Sequence, residues 1–181
     1  MMNNLKEKYL KEIIPELKKQ MGYQNNLAVP RLKKAVVNVG TGRAIRDPKF
    51  IDVVVSTLAR ITGQKPVFTK AKKSISNFKV RQGMTIGAMV TLRGNRMYDF
   101  VEKIIKISLP RTRDFRGLPL KMIGNQGNLS IGIKEHTVFP EIKTDEVETI
   151  HGLEVNIATS AKTKKEGILL FKLLGFPLQE E

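Results

Sequence analysis

Apolar residues recur along this chain first at helical spacing and then in alternation. Leu5, Tyr9, Ile13, Leu17 and Met21 stand one turn apart, a stripe that predicts an amphipathic helix with Asn3 or Asn4 as cap and Gly22 as stop. Pro15 interrupts the stripe and lacks the amide hydrogen of a helix interior, so the helix is expected to kink or restart there. In "KKAVVNVGTG" the period changes to two: Ala35, Val37 and Val39 fall on one side, Lys34, Val36, Asn38 and Gly40 on the other, the pattern of a half-buried strand. "DPKFIDVVVSTLARITG" returns to helical spacing through Phe50, Val54, Leu58 and Ile61, with Asp47 as N-cap, Pro48 at the first helical position and Gly63 as stop.

"PVFTKA" reads as a short strand and "MTIGAMVTLRG" as a longer one, with Met84, Ile86, Ala88, Val90 and Leu92 inward and Thr85, Gly87, Met89, Thr91 and Arg93 outward. A helix through Met97, Phe100, Val101, Ile104 and Ile105 ends at Pro110, and "NLSIGIKE" and "GLEVNIATSA" supply two further strands with Leu129, Ile131, Ile133, Leu153, Val155 and Ile157 inward. The last helix opens on a capping box from Thr163 to Glu166 and closes at Gly175, with Phe176 placed to fold back on Phe171. The predicted class is α+β: a two-layer domain, mainly an antiparallel sheet of about five strands, with helices on one face and a polar face exposed. No repeat or linker divides residues 1–181, which reads as one domain with an extended basic loop at 70–84.

The outward face changes the picture. It should present Asn38, Gly40, Gly87, Thr91, Arg93, Ser130, Gly132, Lys134, Asn156 and Ser160, which are small, polar or basic. Residue by residue a solvated surface is the plainer reading; the charge argues for docking. Thirty-two Lys and Arg against 17 Asp and Glu give a formal charge of +15 and a pI near 10.1, self-repulsion that a polyanion relieves. No Asp or Glu stands between Asp52 and Asp99, while Arg60, Lys65, Lys70, Lys72, Lys73, Lys79, Arg81, Arg93 and Arg96 all do. The chain has no cysteine, which suits a reducing compartment. Its first residues are broken by charges, and no apolar run approaches the ~20 residues of a membrane span. The expected place is the cytosol, or an organellar matrix, with no membrane partner.

Single-strand binders stack bases on aromatic platforms, and this chain has no Trp and three Tyr, so a stacking sheet is disfavoured. Glycine, Asn, Thr and Ser suit the shallow groove and 2′-hydroxyls of folded RNA, and no DNA-binding motif is present. "TKAKKSISNFKVRQGM" then carries Lys70, Lys72, Lys73, Lys79 and Arg81 for phosphates and Ser74, Ser76, Asn77 and Gln82 for sugars. Ile75 and Val80 either pack the loop on its own domain or face RNA, and Phe78 can lie against backbone or an unstacked base. "SLPRTRDFRGLP" offers Arg111, Arg113 and Arg116 either to a partner or to helix capping and a pair with Asp114. Glu135, Glu141, Asp145, Glu146, Glu148 and Glu154 form an acidic span that is either solvated or faces a basic protein. His136 and His151 lack catalytic companions, no spacing suggests a metal, and "GTG" at 40–42 is too short for a phosphate loop. No cofactor and no catalytic residue is expected; a free-standing RNA-annealing protein is the main rival reading, an enzyme on RNA a distant one.

"VPRLKKAVVNVGTGRA", "ITGQKPVFTKAKKSISNFKVRQG", "TLRGNRMYDF", "PRTRDFRGL", "GNLSIGIKEHTVFPEI" and "TSAKTKKEGILLFKLLGFP" occur in this order from about Pro30 to Pro177. Together they resemble the bacterial-type family of large-subunit ribosomal protein five. The resemblance implies a non-enzymatic constituent of the central protuberance that binds 5S rRNA. It also implies neighbouring 23S-type rRNA and large-subunit proteins, contact with peptidyl-site transfer RNA, and a bridge to a small-subunit head protein. By the same resemblance Asn38, Gln64 and Thr91 are expected to face 5S rRNA, and Gly40, Lys65 and Arg93 beside them complete the expected site. The transfer-RNA loop is expected at Lys72, Lys73, Ser74, Phe78, Lys79, Arg81 and Gln82, and the bridge at Arg111, Arg113, Glu141, Asp145 and Glu146. Arg43, Lys164 and Lys165 depart from the family's commoner acidic residues.

Overall fold

A computed structural model describes residues 5–42, 49–143 and 149–179. The expected caps Asn3, Asn4 and Asp47, the helix-opening Pro48, Arg43, and the acidic Asp145, Glu146 and Glu148 lie outside the described residues. The first helical stripe becomes α1 (Leu5–Lys8), a wide π turn over Tyr9–Ile13, and α2 (Ile14–Met21). Pro15 sits in the first turn of α2, and Ile14 before it donates its N–H to the Tyr9 carbonyl five residues back. The proline ring would press on the carbonyl four residues back, and a widened turn makes room for it. Gly22 ends α2 at φ 74° with its N–H on the Lys18 carbonyl.

The strands are β1 (Leu32–Gly40), β2 (Val67–Lys70), β3 (Thr85–Leu92), β4 (Leu129–Ile133) and β5 (Leu153–Thr159), in the sheet order β2-β3-β1-β5-β4. Neighbours run antiparallel. β2 pairs Val67 with Met89 and Thr69 with Gly87. The end of β1 meets the start of β3 where Thr41 N–H donates to Ile86 O, and the start of β1 meets the end of β5 where Ser160 N–H donates to Arg31 O. Asn128 Oδ1, just before β4, accepts from Thr159 N–H at the end of β5.

The chain forms two compact units, one from Met1–Ala35, Leu92–Ile131 and Asn156–Glu181, the other from Val36–Thr91 and Gly132–Val155. The division passes through strands, where no composition shift or linker can announce it. In the first unit α1 packs on α4 (Gly94–Lys103), and α2 on α5 (Lys164–Leu174). Tyr9 donates its hydroxyl to Pro30 O at 3.0 Å. Thr163 caps α5 by accepting from Glu166 N–H, while the Glu166 carboxylate turns back to Lys162 N–H. At the far end, Gly175 at φ 94° donates to Lys172 O and Phe176 N–H to Phe171 O, with the two phenyl rings edge to face at 5.2 Å. That is the predicted Schellman stop.

In the second unit α3 (Lys49–Thr62) buries Phe50, Val54, Leu58 and Ile61, as its spacing predicts, and stops at Gly63. The buried sides of its strand segments are Val37, Val39, Ala88, Val90, Ile133, Leu153 and Val155. One expectation fails on β3: Ala88, Val90 and Leu92 are buried, but Met84 and Ile86 are exposed. Alternation ranks side chains by side of a strand, and these two lie where the sheet gives way to the basic segment. Gly87 is also not part of a free polar face, because a Cβ there would stand 2.6 Å from Thr69 Oγ1 and 2.9 Å from Val39 O. The missing side chain lets neighbouring strands close.

Candidate nucleic-acid interface

Five of the six residues expected to meet 5S rRNA belong to the second unit. Gly63, at φ 64° with its N–H on Ala59 O, ends α3, and Thr62 shapes the turn beyond it by donating its hydroxyl to Leu58 O at 2.7 Å and accepting from Gln64 N–H at 3.3 Å. The turn aims Gln64 at β3, where its Nε2 donates to Thr91 O at 3.3 Å. Two residues 27 apart in sequence, Gln64 and Thr91, are thereby fixed side by side, with Lys65 exposed next to them. On β1, Asn38 is half-buried and Gly40 exposed, with open space where a Gly40 side chain would stand. Close packing within the chain does not require glycine there, in contrast to Gly87. Arg93 is exposed in the other unit, in extended backbone just before α4.

The basic segment folds as a hairpin. Register slips between Thr69 and Lys70, and pairing resumes where Ala71 N–H donates to Met84 O and Gly83 N–H to Ala71 O. It closes again at the tip, where Ile75 and Val80 exchange both backbone hydrogen bonds around a 3-10 turn at Ser76–Phe78. Lys79 takes a left-handed φ of 54°, uncommon for a residue with a side chain. Ser74 Oγ accepts from Gln82 N–H at 2.9 Å, so two expected contact residues also hold the hairpin arms together. Lys72, Lys73, Lys79, Arg81 and Gln82 are exposed. Phe78 is 68% exposed and Ile75 47% exposed, while Val80 is half-buried. Ile75, for which the sequence leaves open packing on its own domain or facing RNA, is thus about half covered by its own chain.

Between this hairpin and the facing strand ends runs an open groove of about 1250 Å³, lined by Thr41, Lys72, Ile75, Phe78, Val80 and Ile86 among others, all within one unit. Thr41 and Ile86 escape a sequence reading. The first sits in a motif too short for a phosphate loop, and the second falls on the inward row of the alternation.

The bridge candidates are divided. Arg111 and Arg113 are exposed in the first unit and Glu141 is half-buried in the second; Asp145 and Glu146 lie outside the described residues. Arg111 N–H donates to Ile107 O and the Thr112 hydroxyl to Ser108 O, so backbone and threonine, not the arginine side chains, finish the π turn Ile104–Ser108 that follows α4. His136 and His151 stack at 4.1 Å with rings 6° apart, both buried. Burial lowers both of their pKa values, that of His151 to about 4, which leaves the pair neutral at pH 7. No group of three or more metal-ligating side chains occurs among the described residues, and no described helix is long and apolar enough to cross a membrane.

Comparison with known proteins covers nearly the whole chain. The family model described as ribosomal protein L5 matches residues 25–81, and the one described as ribosomal L5P family C-terminus matches residues 85–178. Large ribosomal subunit protein uL5 of Halothermothrix orenii is 54% identical over 179 residues, 99% of this chain and 100% of that protein. The protein of the same name from Desulforapulum autotrophicum is 55% identical over 178 residues, 98% of this chain and 99% of that one. That of Symbiobacterium thermophilum is 52% identical over 179 residues, 99% of each chain.

Proposed function

Because this chain belongs to the ribosomal protein L5 family, we propose that within the large ribosomal subunit it binds 5S rRNA through Asn38, Gly40, Gln64, Lys65, Thr91 and Arg93. It is a structural constituent of that subunit and not an enzyme. In this reading phosphate contacts supply affinity, hydroxyl contacts set register, and the basic hairpin reaches peptidyl-site transfer RNA. Arg111, Arg113, Glu141, Asp145 and Glu146 serve the bridge to a small-subunit head protein, and 23S-type rRNA and neighbouring large-subunit proteins complete the surroundings.

The observation that carries the 5S rRNA site is the hydrogen bond from Gln64 to the Thr91 backbone. It holds polar groups from a turn and a strand in a preset arrangement beside an exposed lysine, and a preformed RNA shape is read most cheaply by a preformed surface. Asn38→Ala and Thr91→Ala are expected to weaken 5S rRNA binding by about 1 to 3 kcal/mol each, since a dry interface would keep an unsatisfied partner. Filter binding at fixed salt measures the loss. Unchanged affinity in both variants would remove this surface from the 5S rRNA site.

A further inference from the structure

We propose that the groove beside the basic hairpin holds a short unpaired RNA segment. Its bases lie against Ile75, Phe78 and Ile86, the Thr41 hydroxyl meets a base edge, and its phosphates rest on Lys72, Lys73 and Lys79. The inference rests on the reading of the hairpin as an RNA contact and names what that contact recognises.

Three observations carry it. First, Ile75, Phe78 and Ile86 are all exposed and line one groove, whereas apolar side chains that are merely surplus are scattered singly. Second, among the described residues three lysines and no carboxylate line the same groove, so it complements an occupant that is apolar on its faces and anionic along its chain. Nucleic acid has that combination only where its bases are unpaired, because a duplex keeps them stacked inside. Third, Thr41 is 1% exposed, held by its N–H on Ile86 O at 2.9 Å, and its hydroxyl has no hydrogen-bond partner among the described residues. A buried hydroxyl left in that state is uncommon, and the donors and acceptors of a base edge would satisfy it. Size narrows the occupant further: at about 1250 Å³ the groove exceeds the roughly 300 to 1,000 Å³ of a pocket for one small ligand. It suits a run of a few nucleotides.

The test uses the full chain and three fluorescent probes in an anisotropy titration: a uridine hexamer, a hexamer duplex, and an abasic hexamer with the same phosphates. The uridine hexamer is expected to bind at least tenfold more tightly than either of the others. Phe78→Ala should weaken that binding about tenfold and Thr41→Val about fivefold. The valine keeps the shape, and with no internal hydrogen bond to lose the fold should be unaffected. Equal affinity for the three probes, or no change in both variants, would overturn the inference. So would a concentration-dependent dimer in sedimentation that Phe78→Ala abolishes, which would assign the groove to a second copy of the chain. Intact transfer RNA run beside the hexamer separates this inference from the reading beneath it. If the combined Lys72→Ala, Lys73→Ala and Lys79→Ala variant loses transfer RNA while the hexamer ignores Phe78→Ala and Thr41→Val, the groove fails and the hairpin reading stands. If the hexamer responds as expected while transfer RNA ignores every variant, the groove stands and its assignment to transfer RNA falls.

Discussion

His136 and His151 show how single residues set a property that no motif announces. Their rings stack at 4.1 Å, Phe50 meets His151 edge to face at 6.0 Å, and both imidazoles are buried. For His151 burial lowers the pKa most and the neighbouring His136 lowers it further, against the Gly152 backbone, to about 4 from an ordinary value of 6.5. For His136 burial again dominates, opposed by the His151 backbone and by Glu135. A folded-state pKa below the unfolded one means that the unfolded chain takes up protons the folded chain refuses. The stabilisation is therefore complete above about pH 6.5 and is lost as pH falls toward 4. Between pH 7 and pH 5 the unfolding free energy from urea melts should drop by about 2 kcal/mol, and His151→Phe should flatten most of that slope. A melt with the same midpoint at both pH values would show that the pair ionises freely in the fold. Residue-scale chemistry is also where sequence reading misleads, since Gly87 passes for an open polar position along the strand while Thr69 and Val39 crowd it in the fold. Composition identifies a small residue; only its neighbours say whether it is small for a ligand or for the chain itself.

At the scale of elements most of the fold was legible, and the exceptions share a cause. Inward rows on β1, β4 and β5, the stripe of α3 and both ends of α5 follow from local periodicity and capping, which act over a few residues and are written in them. The π turns at Tyr9–Ile13 and Ile104–Ser108 were not legible. Ile14 precedes Pro15 and donates to Tyr9, and Leu109 precedes Pro110 and donates to Ile104. Each proline marks an interruption, while the way the helix absorbs it depends on packing around the turn. The contact of α5 with the turn before β4 is nonlocal in the same sense. A Cβ on Gly167 would stand 2.4 Å from Gly127 Cα and 2.9 Å from Gly127 O, and the Thr159 hydroxyl locks that carbonyl from the other side at 2.8 Å. The obstacle is backbone, so it cannot swing away. Gly167→Ala should therefore destabilise by about 2 to 3 kcal/mol through overpacking, despite the roughly 1 kcal/mol that alanine gains in helix propensity. Gly132→Ala, with nothing within 4 Å of the added carbon, is the control and should stay within about 0.5 kcal/mol. Equal melting temperatures for the two variants would mean that α5 can shift off the turn at little cost. The candidate interface was legible in the same uneven way: Asn38 and Thr91 stand on a predicted polar row, Gln64 came only from the family resemblance, and Thr41 from neither.

For the whole molecule the question is which part of RNA affinity is shape and which is charge. A formal charge of +15 on 181 residues guarantees attraction to any RNA, and that attraction falls steeply with salt as bound counterions stop being a reservoir of entropy. A binding surface preset by the Gln64 to Thr91 bond would contribute affinity that does not fall in this way. In a salt titration, preference for 5S rRNA over an unrelated structured RNA of equal length should persist at high salt, although both affinities decline. Sorting of charge along the chain sharpens the expectation, because Lys72, Lys73 and Lys79 stand on the hairpin and Gln64, Lys65 and Thr91 do not. Replacing the three hairpin lysines by alanine should lower the salt slope for transfer RNA by about two to three, near one for each phosphate no longer neutralised, and leave the 5S rRNA slope unchanged. A 5S rRNA slope reduced by the same amount would place the hairpin inside the primary site. Parallel collapse of both wild-type affinities would mean that charge alone holds the RNA, and the preset surface would then have no role in choosing it.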